Sequence, residues 1–161
     1  MKKANAHRVI ALGILCCLNG CYTFTVGSLS YKTIGVPVAN NATSEYRATD
    51  AVTKALIAGL VKDGRLKVIE PKDAQSRLDL DITGYKREPY VYNRREVVAQ
   101  YKVTIIAKVV FRGKADKAVW RSDSLSAWSA YAVDTENEGA GIEKAASNLA
   151  AEIIRQAFEA W

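Results

Sequence analysis

Between positions 99 and 111 every second residue is apolar or aromatic. Ala99, Tyr101, Val103, Ile105, Ala107, Val109 and Phe111 share one parity, with Gln100, Lys102, Thr104 and Lys108 on the other. Successive side chains of a strand point to opposite faces, so this run reads as a long antiparallel strand with one packed face. Such a strand needs neighbours and a cover for its apolar face. Upstream, Leu78, Leu80 and Ile82 alternate with Asp79, Asp81 and Thr83, which predicts a third strand. Residues 65–70 predict a second strand, with Leu66 and Val68 on one face. A first strand carries Ile34, Val36 and Val38, with Pro37 at a sheet edge or at the strand's end. Beyond the turn Gly113-Lys114-Ala115-Asp116, residues 118–131 look extended.

Two amphipathic helices supply the cover. Ala48, Val52, Ala55, Leu56, Gly59 and Leu60 recur at helical spacing. Thr43 or Ser44 is the expected cap, Glu45 suits the first turn, and Gly64 is the stop behind Lys62. A loop is expected over residues 134–141. The last helix is expected from Ile142 to Phe158, with Ile142, Ala145, Leu149, Ile153 and Ala157 on one stripe that Trp161 extends. The order β-α-β-β-β-(β)-α predicts an α+β two-layer sandwich. Two helices would pack on one face of a four- to five-stranded mixed or antiparallel sheet.

The amino terminus changes how the composition reads. The 161 residues carry a formal charge of +6, but residues 1–20 contribute Lys2, Lys3 and Arg8 and no acid, leaving 20 bases against 17 acids. The same stretch holds the only histidine, His7, and two of the three cysteines, Cys16 and Cys17. Lys2, Lys3 and Arg8 precede a short apolar run, Val9–Leu18, too short to span a bilayer. Leu18-Asn19-Gly20-Cys21 resembles a bacterial lipoprotein processing site. That resemblance implies a signal peptide over 1–20 and acylation at Cys21. A tether would follow over 21–31 and a single domain over 32–161. Two or more acyl chains anchor firmly, at about 0.8 kcal/mol per buried methylene. Tyr22 after the cysteine implies sorting to the outer membrane.

The remaining chain offers little for catalysis. Without His7 there is no Ser-His-Asp arrangement, and with Cys21 acylated there is no thiolate for zinc or nucleophilic chemistry. No phosphate-cradling glycine motif is present. Asp79 and Asp81 read as a solvated strand face. Ser122, Ser124, Ser126 and Ser129 read as an exposed strand with no adjacent base. No catalytic residue, metal ligand or cofactor is expected.

The segment Tyr85-Lys86-Arg87-Glu88-Pro89-Tyr90-Val91-Tyr92-Asn93-Arg94-Arg95 is different, because it interleaves aromatic and cationic side chains. Two readings stand. One is a solvated hairpin tip whose cations protect a sheet edge. The other is a site for phosphorylated glycolipid, arginine forks suiting phosphate and tyrosines covering sugar or acyl surface. An exported protein does not make nucleic acid the expected partner.

Several segments together resemble the lipopolysaccharide-assembly lipoprotein family LptE. These are Cys21-Tyr22, residues 32–38, residues 60–68, residues 80–85, the hairpin, Glu96–Thr104 around Tyr101, Val119-Trp120 and the last helix. The resemblance implies a non-enzymatic outer-membrane lipoprotein that plugs and helps assemble the β-barrel LptD and binds lipopolysaccharide. It places the family's basic contact at Arg94, beside Arg95. The family's second basic contact has no counterpart, since Val133-Asp134-Thr135-Glu136 is acidic. Lys114 and Lys117 are taken as further candidates on charge alone. Residues 34–70 are also similar to CsgG-like and LpoB-like lipoproteins, which implies a secretion-pore component or a peptidoglycan-synthase activator as the alternative.

Overall fold

The computed structural model describes residues 31–159. The expected signal peptide, Cys21, most of the tether and Trp161 lie outside the described residues. The elements run β1 (Thr33–Gly35), β2 (Asn40–Asn41), α1 (Arg47–Asp63), β3 (Lys67–Val68), β4 (Ser76–Tyr92), β5 (Val98–Arg112), β6 (Ala118–Ala132) and α2 (Glu138–Glu159). The sheet order is β3-β1-β4-β5-β6, and β2 adds to β4 beyond β1. β1, β2 and β3 pair in parallel, while β4, β5 and β6 form an antiparallel meander. This is the expected α+β two-layer sandwich, with the sheet mixed and six-stranded.

The alternating run behaves as its pattern demands. Val103, Ile105, Ala107, Val109 and Phe111 are fully buried, as are Leu78 and Ile82 on β4. Against them lies the stripe Ile142, Ala145, Leu149, Ile153 and Ala157 of α2, together with Val52, Leu56 and Leu60 of α1. Each large aliphatic buried this way contributes about 1.5–3 kcal/mol. α2 crosses β5 and β6, and α1 lies beside α2 and reaches β2 and β3. No described element covers the opposite face of the sheet.

The differences from expectation are local. α1 starts at Arg47 with Tyr46 in the cap position and no side-chain cap. Thr43 instead donates its amide and hydroxyl to Asn41 Oδ1, at 2.8 and 2.7 Å. The amide of Arg47 goes to the Glu45 carboxylate at 3.1 Å. Gly64 does stop the helix, with φ +73° and its amide donating to the Leu60 carbonyl. The second strand shrinks to two residues. Val38 is 70% exposed, because the first strand ends at Gly35, before Pro37. Gly35 is crowded: an added Cβ would lie 2.4 Å from Pro71 Cα. The last helix begins at Glu138, earlier than expected, because Asn137 Oδ1 accepts the Ala140 amide.

Candidate functional site

The third strand does not stop near Thr83. After a register shift between Ile82 and Gly84 it continues to Tyr92. β2 reaches only Ile82, so from Gly84 onward β4 borders β5 alone. Pro89, which has no amide to donate, sits in this half-free stretch. The result is a long β4–β5 hairpin that extends past the parallel strands with β6 along its other side as far as Ala132, so that only the tip is two-stranded.

Its tip is built by Asn93. The Asn93 amide donates to the Val97 carbonyl at 2.9 Å, and the Glu96 amide donates to the Asn93 carbonyl at 3.0 Å. Asn93 Oδ1 also accepts the amides of Arg95 and Val97, at 2.8 and 3.1 Å. This is a four-residue turn, 93–96, whose last residue, Glu96, is left-handed with φ +60°. Arg94 and Arg95 occupy its two central positions, both exposed. Six of the nine large apolar or aromatic residues exposed among the described residues lie at the tip or along the hairpin and the adjoining part of β6: Tyr90, Val91, Tyr92, Val97, Trp128 and Val133.

The base of the hairpin is fixed by residues that the sequence had left in a charge run. Arg87 shares the packed face with Tyr101 and Tyr131. Its Cζ lies 3.6 Å from the centre of the Tyr101 ring, and its Nε donates to the Tyr131 hydroxyl at 2.8 Å. Tyr101 and Tyr131 stack at 5.9 Å. The Tyr85 hydroxyl donates to Glu138 Oε1 at 2.6 Å, and Arg47 Nη2 approaches Glu138 Oε2 at 3.4 Å. Glu138 stands in the first turn of α2, where the helix dipole favours a carboxylate. Partial burial, followed by the neighbouring Glu138 carboxylate, raises the Tyr85 pKa well above its usual 10.0. The hairpin is thereby clamped to the starts of both helices. The one sequence sign of this was Tyr101, a ring on the packed parity of β5.

The other candidates fall elsewhere. Lys114 and Lys117 flank the β5–β6 turn, at the far end of the 15-residue β5 from Arg94 and Arg95. At about 3.4 Å per residue the separation approaches 50 Å, so the four cations do not form one site. Asp79 is not a solvated carboxylate: it accepts from Arg112 Nε at 2.8 Å and is ion-paired with Arg77 at 2.8 Å. Asp81 accepts from Asn40 at 2.8 Å. Ser129 is buried and donates to the Gly141 carbonyl at 2.7 Å, whereas Ser124 and Ser126 are exposed as expected. No group of metal-ligating side chains occurs among the described residues. No helix among them is long and apolar enough to cross a membrane. In the loop before α2, Glu136 is paired with Lys144 while Asp134 is exposed.

Comparison with known proteins settles the family. The model of the lipopolysaccharide-assembly family LptE matches residues 31–157, nearly the whole described domain. The chain belongs to the LptE family. LptE is a family of non-enzymatic envelope lipoproteins. Solved structures share the fold at low identity. A Xanthomonas campestris protein of family DUF330 aligns over 82% of this chain and 86% of its own, with TM-score 0.59 and 12% identity. A hypothetical protein from Chlamydia trachomatis aligns over 80% and 96%, with TM-score 0.57 and 9% identity. A minor lipoprotein from Acinetobacter baumannii aligns over 82% and 93%, with TM-score 0.51 and 18% identity. No curated protein matches the chain.

Proposed function

We propose that this LptE-family protein is an outer-membrane lipoprotein, anchored through Cys21, that occupies the lumen of an LptD-type β-barrel, assists its assembly and contacts lipopolysaccharide in passage. The observation that carries this reading is the family match over residues 31–157, to which the basic, aromatic-rimmed hairpin gives a contact surface. Arg94 and Arg95 are assigned to lipid phosphate, because their guanidinium groups stand exposed at the centre of a turn fixed by Asn93. Lys114 and Lys117 are too distant to join that contact, so the phosphate assignment rests on the two arginines.

Affinity purification of the full-length protein from its own envelope tests the reading. Recovery of a large β-barrel, with loss of surface lipopolysaccharide on depletion, is the expected result. Recovery of a peptidoglycan synthase or a secretion pore instead would overturn it. Arg94→Ala combined with Arg95→Ala should weaken binding of bisphosphorylated lipid A in a salt-dependent way, with the thermal midpoint little changed.

A further inference from the structure

On the face of the sheet that no described element covers, Tyr90 and Trp128 stand 49% and 48% exposed. Their ring centres are 5.7 Å apart and their planes tilted by 53°, so each keeps part of a face toward solvent. The two rings bridge three strands, β4 to β6, above Lys102 of β5. Lys102 Nζ lies 5.4 Å from the centre of the Trp128 ring and 3.4 Å from the Glu88 carboxylate. Thr104, the register partner of both Lys86 and Trp128, places a hydroxyl on the same face. Ser126 lies two residues from Trp128 on β6 and is exposed. The patch is therefore two tilted aromatic surfaces rimmed by a carboxylate, two amines and two hydroxyls.

That chemistry selects its occupant. Exposed apolar surface of this kind marks a binding face. An acyl chain covering the rings would strip water from the Glu88–Lys102 pair and offer it no hydrogen bond in return. A bare anion would gain from Lys86 and Lys102, meet repulsion from Glu88, and use neither ring. A pyranose has an apolar C–H face for the rings and a rim of hydroxyls for the carboxylate, amines and side-chain hydroxyls. We propose that Tyr90 and Trp128 form a sugar-stacking platform that takes the oligosaccharide portion of a glycolipid. That the sugar belongs to a glycolipid, and that the same molecule's phosphates meet Arg94 and Arg95, rests on the function proposed above; the sugar-stacking platform itself does not.

The test uses the mature full-length protein in detergent and two probes. The platform probe is a core oligosaccharide freed of acyl chains and phosphate. The function probe is bisphosphorylated lipid A. Titration with the oligosaccharide, followed by the indole N–H resonances, should move Trp128 and leave Trp120 in place. Trp128→Ala should weaken oligosaccharide binding at least fivefold, and Trp128→Phe should restore most of it. Tyr90→Ala and Glu88→Gln should each weaken it severalfold. Lipid A binding should survive Trp128→Ala and fall with Arg94→Ala plus Arg95→Ala. Absence of oligosaccharide binding to the wild-type protein, or unchanged affinity in Trp128→Ala, overturns the platform whatever lipid A does. Loss of barrel copurification in Trp128→Ala without any sugar binding would reassign the face to a protein partner and likewise overturn it. Oligosaccharide binding without lipid A binding would keep the platform and sink the phosphate assignment.

Discussion

The guanidinium of Arg87 sits 3.6 Å from the centre of the Tyr101 ring, joining the two strands of the hairpin on its packed face. The same side chain donates to Tyr131, so one cation ties together β4, β5 and β6 just before the sheet narrows to its two-stranded tip beyond Ala132. A two-stranded ribbon in water is marginal by itself. The clamp gives it a fixed direction, which any ligand at its tip depends on.

Removing that clamp should loosen the hairpin selectively. Arg87→Ala forfeits a cation–π contact and a charged hydrogen bond, worth together about 1–2 kcal/mol. Arg87→Lys should recover little, because an ammonium cannot cover the Tyr101 ring and reach Tyr131 in the same way. Urea denaturation measures the loss. Hydrogen exchange should show faster opening of amides 85–103 than of α1. Equal acceleration everywhere would mean that Arg87 supports the whole fold and not the hairpin.

The Tyr85–Glu138 bond predicts how the fold meets alkali. Burial and the adjacent carboxylate raise the Tyr85 pKa above the usual 10.0. The unfolded chain then releases this proton at lower pH than the native chain does. The stabilisation is complete below pH 10 and is lost as pH rises from 10 toward the native value. Tyr85→Phe should be less stable than wild type at pH 8, by about 1 kcal/mol for the lost hydrogen bond, and the gap should narrow above pH 10. A gap that stays constant from pH 8 to 11 would contradict this.

Acid should act through different residues. Hydrogen bonds from Arg47, Arg65 and Arg155 hold the carboxyls of Glu45, Asp63 and Glu152 below their usual values, Glu152 at about 2. For such groups the stabilisation is present above the ordinary carboxylate range and lost as pH falls through it toward about 2. The urea midpoint should therefore drop below pH 4. The drop should shrink in 1 M salt, because these pairs are at the surface.

The turn at the tip is strained at one residue. Glu96 adopts φ +60°, a region that disfavours a side chain. Glu96→Gly should stabilise the protein by up to about 1 kcal/mol, and Asn93→Ala should destabilise it by a similar amount through its two lost amide bonds. Thermal midpoints decide both. Glu96→Gly also removes a negative charge beside Arg94 and Arg95, so lipid A should bind the variant more tightly at low salt.

Gly35 offers a harsher test of packing. A methyl group there would meet the Pro71 backbone at 2.4 Å, and backbone cannot turn aside as a side-chain tip can. Gly35→Ala should cost about 2 kcal/mol or more by chemical denaturation. A neutral substitution would show that the 71–75 turn moves freely.

Much of this architecture was legible before any coordinates. The parity of Val103, Ile105, Ala107, Val109 and Phe111 named the packed face, and the stripe from Ile142 to Ala157 named its cover. The cations interleaved with tyrosines left two readings open, a solvated hairpin tip or a binding surface, and Arg94 and Arg95 were singled out by the family resemblance. The sequence misjudged positions where a local competitor intervened. Thr43 was drawn off its capping role by Asn41, and Gly139 and Gly141 suggested a loop that Asn137 turned into the first turn of a helix.

What the sequence determined by itself was which side chains had to be buried, because burial follows a two- or 3.6-residue period that can be counted along one chain. What only the tertiary structure decided was which distant residues meet. The register shift at Ile82–Gly84 puts Arg87 on the packed face beside Tyr101 and Tyr131, and sets Tyr90 toward Trp128 on the bare one. A strand's two faces are exchanged by one residue of slip. That slip is fixed by the pairing of β4 with β5, which local pattern does not encode.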